Sequence, residues 1–436
     1  MQNAERTKQL RIKRANTDWW INEKAIVANN GLTYIAYVTD MGEIHVKELD
    51  AKCSKTPSRD YRLCTLNYNY ADEHNAPSIC ILESGKIIVG YTGHAARGLR
   101  YRITERPYDI SSFGKEMILP YDGSVTYVQL FENTVKNELW LFTRVNSVNW
   151  QFRYSRDEGE TWSEPKTFLH SDAGGLFYIN IRKQNVIRNK RVDEQWFFAL
   201  YGHPRISKDH TIRSGIFNSD GQLLRCDLTP LETNLYDRES KINLETLDVV
   251  YSAPADSTVR LLEVAPTVPL RVGFAPFVLD DDRSPNPEKP YYCSAVFREG
   301  KWNLSEPICS AGEFLASDIL DGSQTYLGGM AYYYGVGNAG LHPNDHAETV
   351  TDRLYIARYD GNNRVLEEYH TVNGGITYQL DRVLRRIDSN TKTKIWRPIV
   401  PIHAQDNMPV YWHEGVYRAH TGGWHGDVVM YVEYDD

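Results

Sequence analysis

The stretch that decides the fold is Ser155-Arg156-Asp157-Glu158-Gly159-Glu160-Thr161-Trp162, which runs straight into Ser163-Glu164-Pro165. Asp and Gly at this spacing make a tight turn, because an Asp side chain bonds to nearby backbone and Gly tolerates positive φ. The closing Trp supplies an aromatic that anchors the turn against neighbouring strands. The pattern returns in degenerate form: Arg298-Glu-Gly300-Lys-Trp302 also runs into Ser305-Glu306-Pro307, and Asn373-Gly-Gly375-Ile-Thr377-Tyr378 is a further echo. A turn repeated along a chain marks a repeated structural unit.

Around these turns the chain offers short strand-like runs separated by Gly, Asn, Asp and Pro, with helical period only in fragments such as 380–387. Strand-dense units recur at roughly 50 to 70 residues. They cover 87–106, 139–164, 196–221, 272–306, 331–361 and 409–433. Each has an apolar strand, a polar tip, a second strand and a turn. Self-similarity at this period predicts an all-β propeller. At about 62 residues per blade, residues 1–436 fit a single domain of seven blades, with six blades and long insertions as the alternative. The segment 428–434 is expected to close the ring by pairing with 19–27, which removes exposed edges. The Pro-rich segment 284–290 reads as a loop inside a blade.

Composition agrees. Aromatics make up 12% of the chain, with 29 Tyr and 10 Trp, and suit pleated, half-buried strands. The net charge of −8 argues against a general nucleic-acid binder, whose affinity needs a basic footprint over a whole face. An anionic ligand must therefore meet a local basic pocket. No run of 18 apolar residues occurs, so no segment reads as a membrane-spanning helix. The N-terminus has no apolar h-region; either the chain is not exported or its signal peptide lies outside this sequence. Six cysteines are scattered without C-x-x-C spacing. Cys53 and Cys64 could bridge a small loop, but most of the six are expected to be buried thiols.

The segment from Glu73 to Arg102 carries the chemistry: E-H-N-A-P, then G-Y-T-G-H-A-A-R-G-L-R-Y-R. His74 and His94 fall at the ends of two neighbouring apolar runs, so two imidazoles come side by side on a sheet. With Arg97, Arg100 and Arg102 close behind, they could move a proton on an anionic substrate near neutral pH. Arg97 and Arg100 alternate with Leu99 and Tyr101, giving a basic face that is either solvated or a subsite for extra carboxylates or sulfates. Arg144 ends the apolar run Leu139-Trp-Leu-Phe142, and its guanidinium grips a carboxylate with a two-pronged fork. Tyr127 follows Ser124-Val-Thr126; a phenol near pKa 10 is protonated at neutral pH and can serve as an acid. Gly335-Val-Gly337-Asn-Ala-Gly340 matches a dinucleotide fingerprint but no helix follows, so it fails its context. Asp280-Asp-Asp282 reads as a solvated loop.

The turn at Ser155 resembles the Asp-box, or bacterial-neuraminidase repeat, of sialidases and many other propellers, where it is a folding element rather than a site at Asp157. The ordered set H-N-A-P, G-H, S-V-T-Y, L-F-T-R and Asp-box resembles the propeller superfamily that contains polysaccharide lyase families 24 and 25, the ulvan lyases. The resemblance covers most of the chain and is strongest from about Asp72 to Glu164. It implies β-elimination on a uronic-acid polymer. That reaction needs a base at C5, a cation on the adjacent carboxylate and an acid for the leaving oxygen. By resemblance His74 or His94 is the base, Tyr127 the acid and Arg144 the carboxylate clamp. Tyr178 falls where the family places a further substrate-facing tyrosine. No cofactor is required for the chemistry. His203 with Cys293 is a candidate for part of a structural metal site, although the full ligand set cannot be assembled from spacing.

The implied partner is an anionic, ulvan-like polysaccharide, the implied location secreted or periplasmic, and a monomer is expected. Two alternatives stand beside this reading. One is a propeller hydrolase that removes rhamnose from glucuronic acid using a histidine; the other is a non-catalytic carbohydrate-binding propeller, since fold does not dictate function. Sialidases fit less well, because no R-I-P segment occurs near the N-terminus.

Overall fold

The Asp-box turn is satisfied from within. In the computed structural model, Ser155 Oγ donates to Asp157 Oδ1 at 2.7 Å and receives the Gly159 N–H at 2.8 Å. Asp157 then accepts the Thr161 N–H at 2.8 Å and the Thr161 hydroxyl at 2.6 Å. Glu158 and Gly159 take φ of 52° and 93°, and a Cβ on Gly159 would lie 2.8 Å from Ile103 Cδ1. The Trp162 indole donates to the Tyr101 hydroxyl at 3.1 Å, tying the turn after Asn149–Ser155 to Ala96–Ile103, three positions away in the sheet. The echo at Asn373 repeats the device: Asn373 Oδ1 accepts the Thr377 N–H at 3.0 Å, and Thr371 Oγ1 accepts the Gly375 N–H at 2.9 Å. The copy at Arg298 keeps two left-handed residues, Glu299 and Gly300, but uses them for a tight hairpin between Tyr291–Arg298 and Lys301–Leu304.

The structure describes residues 8–17, 21–50, 58–66, 72–171, 176–188, 191–204, 207–238, 240–278, 290–315, 326–333, 353–404, 410–417 and 424–432. The readings at Cys53, 280–282, 284–289 and 335–340 lie outside these residues. Among them the chain is all-β and propeller-like, with short 3-10 turns and no α-helix. No helix of the described residues is long and apolar enough to cross a membrane. Cys64, Cys80, Cys226, Cys293 and Cys309 are free thiols, buried or half-buried.

Among the described residues the strands form six antiparallel sheets, taken in chain order. The first holds Leu32–Thr39, Glu43–Asp50 and Arg59–Thr65; the second is seven-stranded, from Ser78–Ile81 to Lys166–His170. The third starts at Phe177–Arg188, the fourth at Ser257–Ala265, the fifth at Met330–Tyr333 and the sixth at Lys394–Ile399. The seven-stranded sheet hinges on Met117–Asn133, a 17-residue strand. Its first part pairs with Ala96–Ile103 and its second with Glu138–Val145, with a register break between Leu119 and Ser124. Apolar clusters rich in Trp and Phe fill the space between sheets, with Trp140 and Trp196 rings 4.2 Å apart.

Two expectations are corrected. The last strand, Trp424–Val432, pairs with Lys8–Ile12, not with 19–27. Leu10 and Ile12 pack against an apolar cluster while Arg11 reaches Glu414 at 2.9 Å, a two-residue alternation that suits an added strand. Ala25–Val27 instead pairs with Leu32–Thr39, and Ile26 bridges Ile402. The helix-like fragment 380–387 lies in the strand Gln379–Asp388. Register shifts beside Glu367 and Glu368 break its two-residue parity, which makes the apolar spacing look longer than that of a strand.

Candidate active site

The E-H-N-A-P segment folds as a single 3-10 turn, Glu73–Asn75, capped by Asp72, whose Oδ1 accepts the His74 N–H at 3.0 Å. Each residue then has a use. Asn75 Oδ1 accepts the His94 N–H at 2.8 Å, and the Ala76 carbonyl accepts from Asn22 Nδ2. The Tyr417 hydroxyl donates to Glu73 at 3.1 Å, from the far end of the chain. The His94 loop is pinned again where the Ala95 N–H donates to Thr126 Oγ1 at 3.1 Å.

This brings His74 and His94 into parallel stacking, ring centroids 4.0 Å apart and planes inclined by 8°. Asp72 lies across both: Oδ1 is 2.6 Å from His74 Nδ1 and Oδ2 is 2.9 Å from His94 Nδ1. Burial would raise the Asp72 carboxyl, but the two imidazoles outweigh it and hold it well below the usual carboxylate range. These three side chains are also the cluster with metal-ligand spacing among the described residues, their donor atoms lying within 4.8 Å of one another. Parallel rings direct their Nδ1 atoms side by side instead of converging on one point, which fits two N–H groups on one carboxylate better than a tetrahedral ion. His203 and Cys293 do not join a cluster of that kind among the described residues.

Tyr127 continues the stack, 5.7 Å from His74. It sits at a bulge in Met117–Asn133 with φ 70°, a left-handed conformation costly for an aromatic residue. The Thr143 hydroxyl donates to the Tyr127 carbonyl at 2.7 Å and holds the bulge. Burial pushes the phenol well above its ordinary value, against the pull of Arg144, so it is protonated at neutral pH.

Arg144 stands opposite Thr126 in the next strand. Its guanidinium carbon lies 4.5 Å from the Tyr127 ring centre and 5.2 Å from that of Tyr178. The residue is 4% exposed, and its Nε and Nη1 are buried with no hydrogen-bond partner among the described residues. A buried cation with nitrogens unsatisfied by protein atoms is poised for an anion.

Four of the expected residues, His74, His94, Tyr127 and Arg144, therefore meet, and Tyr178 joins them, packing on Tyr201 at 5.5 Å and beside His203 at 6.0 Å. Arg97 and Arg100 are not brought in. Arg97 is an exposed residue on Ala96–Ile103, and Arg100 is bonded to Glu116 at 2.6 Å beside the Tyr91 hydroxyl. The buried arginines that do share the neighbourhood come from later sheets. Arg260 lies 4.3 Å from the Tyr326 ring, and burial pushes Tyr201 up to about 12 while Arg260, Arg397 and Arg144 pull it down. Sequence reading missed these and Asp72. For Asp72 the signal was present, an Asp two residues before a His at a turn start; for Arg260 and Arg397 no local motif marks them.

A cavity of about 390 Å³ lies elsewhere among the described residues, lined by Ile26, Ile79, Glu132, Lys183 and Pro266. Met117–Asn133 runs from Tyr127 to Glu132 and Phe177–Arg188 from Tyr178 to Lys183. At about 3.3 Å per residue, Glu132 and Lys183 each lie about 16 Å along their strand from Tyr127 and Tyr178.

Fold and site thus define an all-β, propeller-like protein with a cluster of histidine, tyrosine and arginine side chains. Residues 32–200 match the BNR repeat-containing family. A curated ulvan lyase from Nonlabens ulvanivorans is 25% identical over 175 residues, which cover 33% of this chain and 34% of that relative. The chain thus matches about a third of that relative's length. Among solved structures, a PL25 ulvan lyase, free and bound to -[GlcA(1-4)Rha3S]-, superposes with a TM-score of 0.67 over 98% of this chain and 96% of that one, at 13% identity. The polysaccharide lyase Uly1 follows at 0.54, 12% identical, over 95% and 90% of the two chains. In repeat and fold the chain is therefore similar to BNR-repeat propellers, ulvan lyases among them.

Proposed function

We propose that this protein is a polysaccharide lyase that cuts beside a uronic acid by β-elimination. One observation carries the reading: buried Arg144, with two guanidinium nitrogens left unbonded by the described residues, lies against Tyr127, which stacks on His74. Arg144 would take the substrate carboxylate and stabilise the negative charge that builds when the C5 proton leaves. His74 or His94 would remove that proton, and Tyr127 would protonate the departing oxygen. Charge balances: the electrons of the C–H bond become the C4–C5 double bond, and the glycosidic oxygen leaves as an alcohol. Tyr178 would face the sugar. Arg97, exposed near the His94 loop, would contact a further anionic group, whereas Arg100 is occupied by Glu116.

The substrate would be an anionic, ulvan-like polysaccharide, supported by the names of the relatives. No cofactor is needed for these steps. Counting the seven-stranded sheet as two blades sharing Met117–Asn133, the six sheets make seven blades, and we read residues 1–436 as one such propeller. Monomeric state and an extracytoplasmic location belong to the same proposal.

The test is ultraviolet absorbance on ulvan, glucuronan, alginate, pectate and glycosaminoglycans. A rise from the unsaturated uronate on one polymer, abolished by His74→Ala and by Arg144→Ala, supports the reading. Reducing ends or free rhamnose without absorbance would replace it with the hydrolase; glycan binding without turnover would replace it with the binding propeller.

A further inference from the structure

We propose that Asp72 is the positioning residue of this site: a single carboxylate that fixes both imidazoles in the Nδ1–H tautomer and leaves Nε2 of each as its basic atom. The catalytic part rests on the lyase reading; the tautomer part does not.

The geometry leaves little choice. The Asp72 side chain is 2% exposed, so water does not compete for its oxygens. Oδ1 accepts the His74 backbone N–H and faces His74 Nδ1, while Oδ2 faces His94 Nδ1. An ionised carboxylate only accepts, so a ring nitrogen at 2.6 or 2.9 Å from it must carry the hydrogen. The alternative tautomer would set a nitrogen lone pair against a carboxylate lone pair inside a buried site, on either ring. Parallel rings 4.0 Å apart match the two oxygens of one carboxylate, one ring to each. The backbone reinforces this, because the oxygen that orients His74 also caps its turn, and Asn75 of the same turn holds the His94 backbone.

The consequence is a pair of equivalent presentations. A proton taken up at Nε2 of either ring is stabilised by the shared negative charge of Asp72 behind it. The arrangement is that of a carboxylate orienting a general-base histidine, doubled onto two rings.

The experiment is a long-range proton–nitrogen NMR spectrum of the labelled full-length chain at mildly alkaline pH. His74→Gln and His94→Gln identify the two sets of ring signals. Both rings are expected to show a protonated Nδ1 and a pyridine-like Nε2. Either ring protonated at Nε2 in the native protein overturns the proposal, whatever the protein does to polysaccharides. In Asp72→Asn the carboxamide cannot accept from both rings, so at least one set of signals should switch to Nε2–H. On a polymer the native protein cleaves, kcat should then fall by about 10²–10⁴ with KM within about threefold, since Arg144 is untouched. A fall in kcat with both tautomers unchanged, or a switched tautomer with unchanged kcat, refutes the positioning role. If the native protein cleaves no polymer, the lyase reading fails, and the tautomers still decide this one.

Discussion

Replacing Arg144 by Met should make the protein more stable and inactive at once. The side chain is 4% exposed, and two of its nitrogens are buried without hydrogen bonds among the described residues. What holds it are the faces of Tyr127 at 4.5 Å and Tyr178 at 5.2 Å. Two such cation–π contacts contribute about 1–3 kcal/mol together. Against them stands the cost of a desolvated guanidinium, several kcal/mol after relaxation. Met is apolar, flexible and of similar length, so it keeps most of the packing on both rings. The balance favours the variant by about 1–3 kcal/mol. Turnover moves the other way: losing one preorganised charge at a developing anion costs about 10²–10³ in kcat, and KM should rise as the carboxylate loses its fork. The assay is urea unfolding beside the ultraviolet elimination rate. If Arg144→Met unfolds more easily than the parent by over about 2 kcal/mol, the arginine is a structural strut; if it retains turnover within about tenfold, it is not the clamp. Either result would refute the reasoning.

Further outcomes follow from the same contacts. Tyr127→Phe removes one hydroxyl from a 1%-exposed ring and should cut kcat by about 10²–10⁴, with the fold intact by circular dichroism; an active variant would show that the leaving oxygen takes its proton elsewhere. Asp157→Ala deletes the acceptor of the Thr161 N–H and hydroxyl and should cost about 1–3 kcal/mol of stability, leaving kcat per folded molecule unchanged; a lost kcat at full stability would make the box a site. Burial pushes Glu132 up from 4.5 to about 7, so the folded state keeps a proton that the unfolded chain has released between those values. Native protein therefore binds more protons, and its stability falls as pH rises through that window, by about 1–2 kcal/mol after solvent screening. Urea midpoints should show that slope in the parent and a flatter one in Glu132→Gln; equal slopes would contradict the buried acid.

Much of the site was legible in sequence because its members are near neighbours along the chain. His74, His94, Tyr127 and Arg144 lie in or beside successive strands of one sheet, so motif order and spatial order coincide. The Asp-box was legible for a similar reason: Ser155, Asp157, Gly159 and Thr161 bond to one another within seven residues, and the echo at Asn373 repeats the device with an amide in place of the acid. Local chemistry is written in local sequence.

What only the tertiary structure decided depends on partners far away. Arg97 and Arg100 look alike in sequence, but Glu116 claims one of them, and nothing in the spacing foretells which. Arg260 and Arg397, from sheets that begin far later in the chain, act with Arg144 to pull the Tyr201 phenol down against its burial. Glu73 meets Tyr417 across 344 positions, and Lys8–Ile12 takes the closing place beside Trp424–Val432. The shared carboxylate of Asp72 is local in sequence, yet its meaning appears only when the second ring arrives 4.0 Å from the first. Alternation and turn residues determine strands and their faces, because those depend on the backbone a few residues either way. Which side chain is buried, paired or left waiting for a ligand depends on what the rest of the ring brings against it.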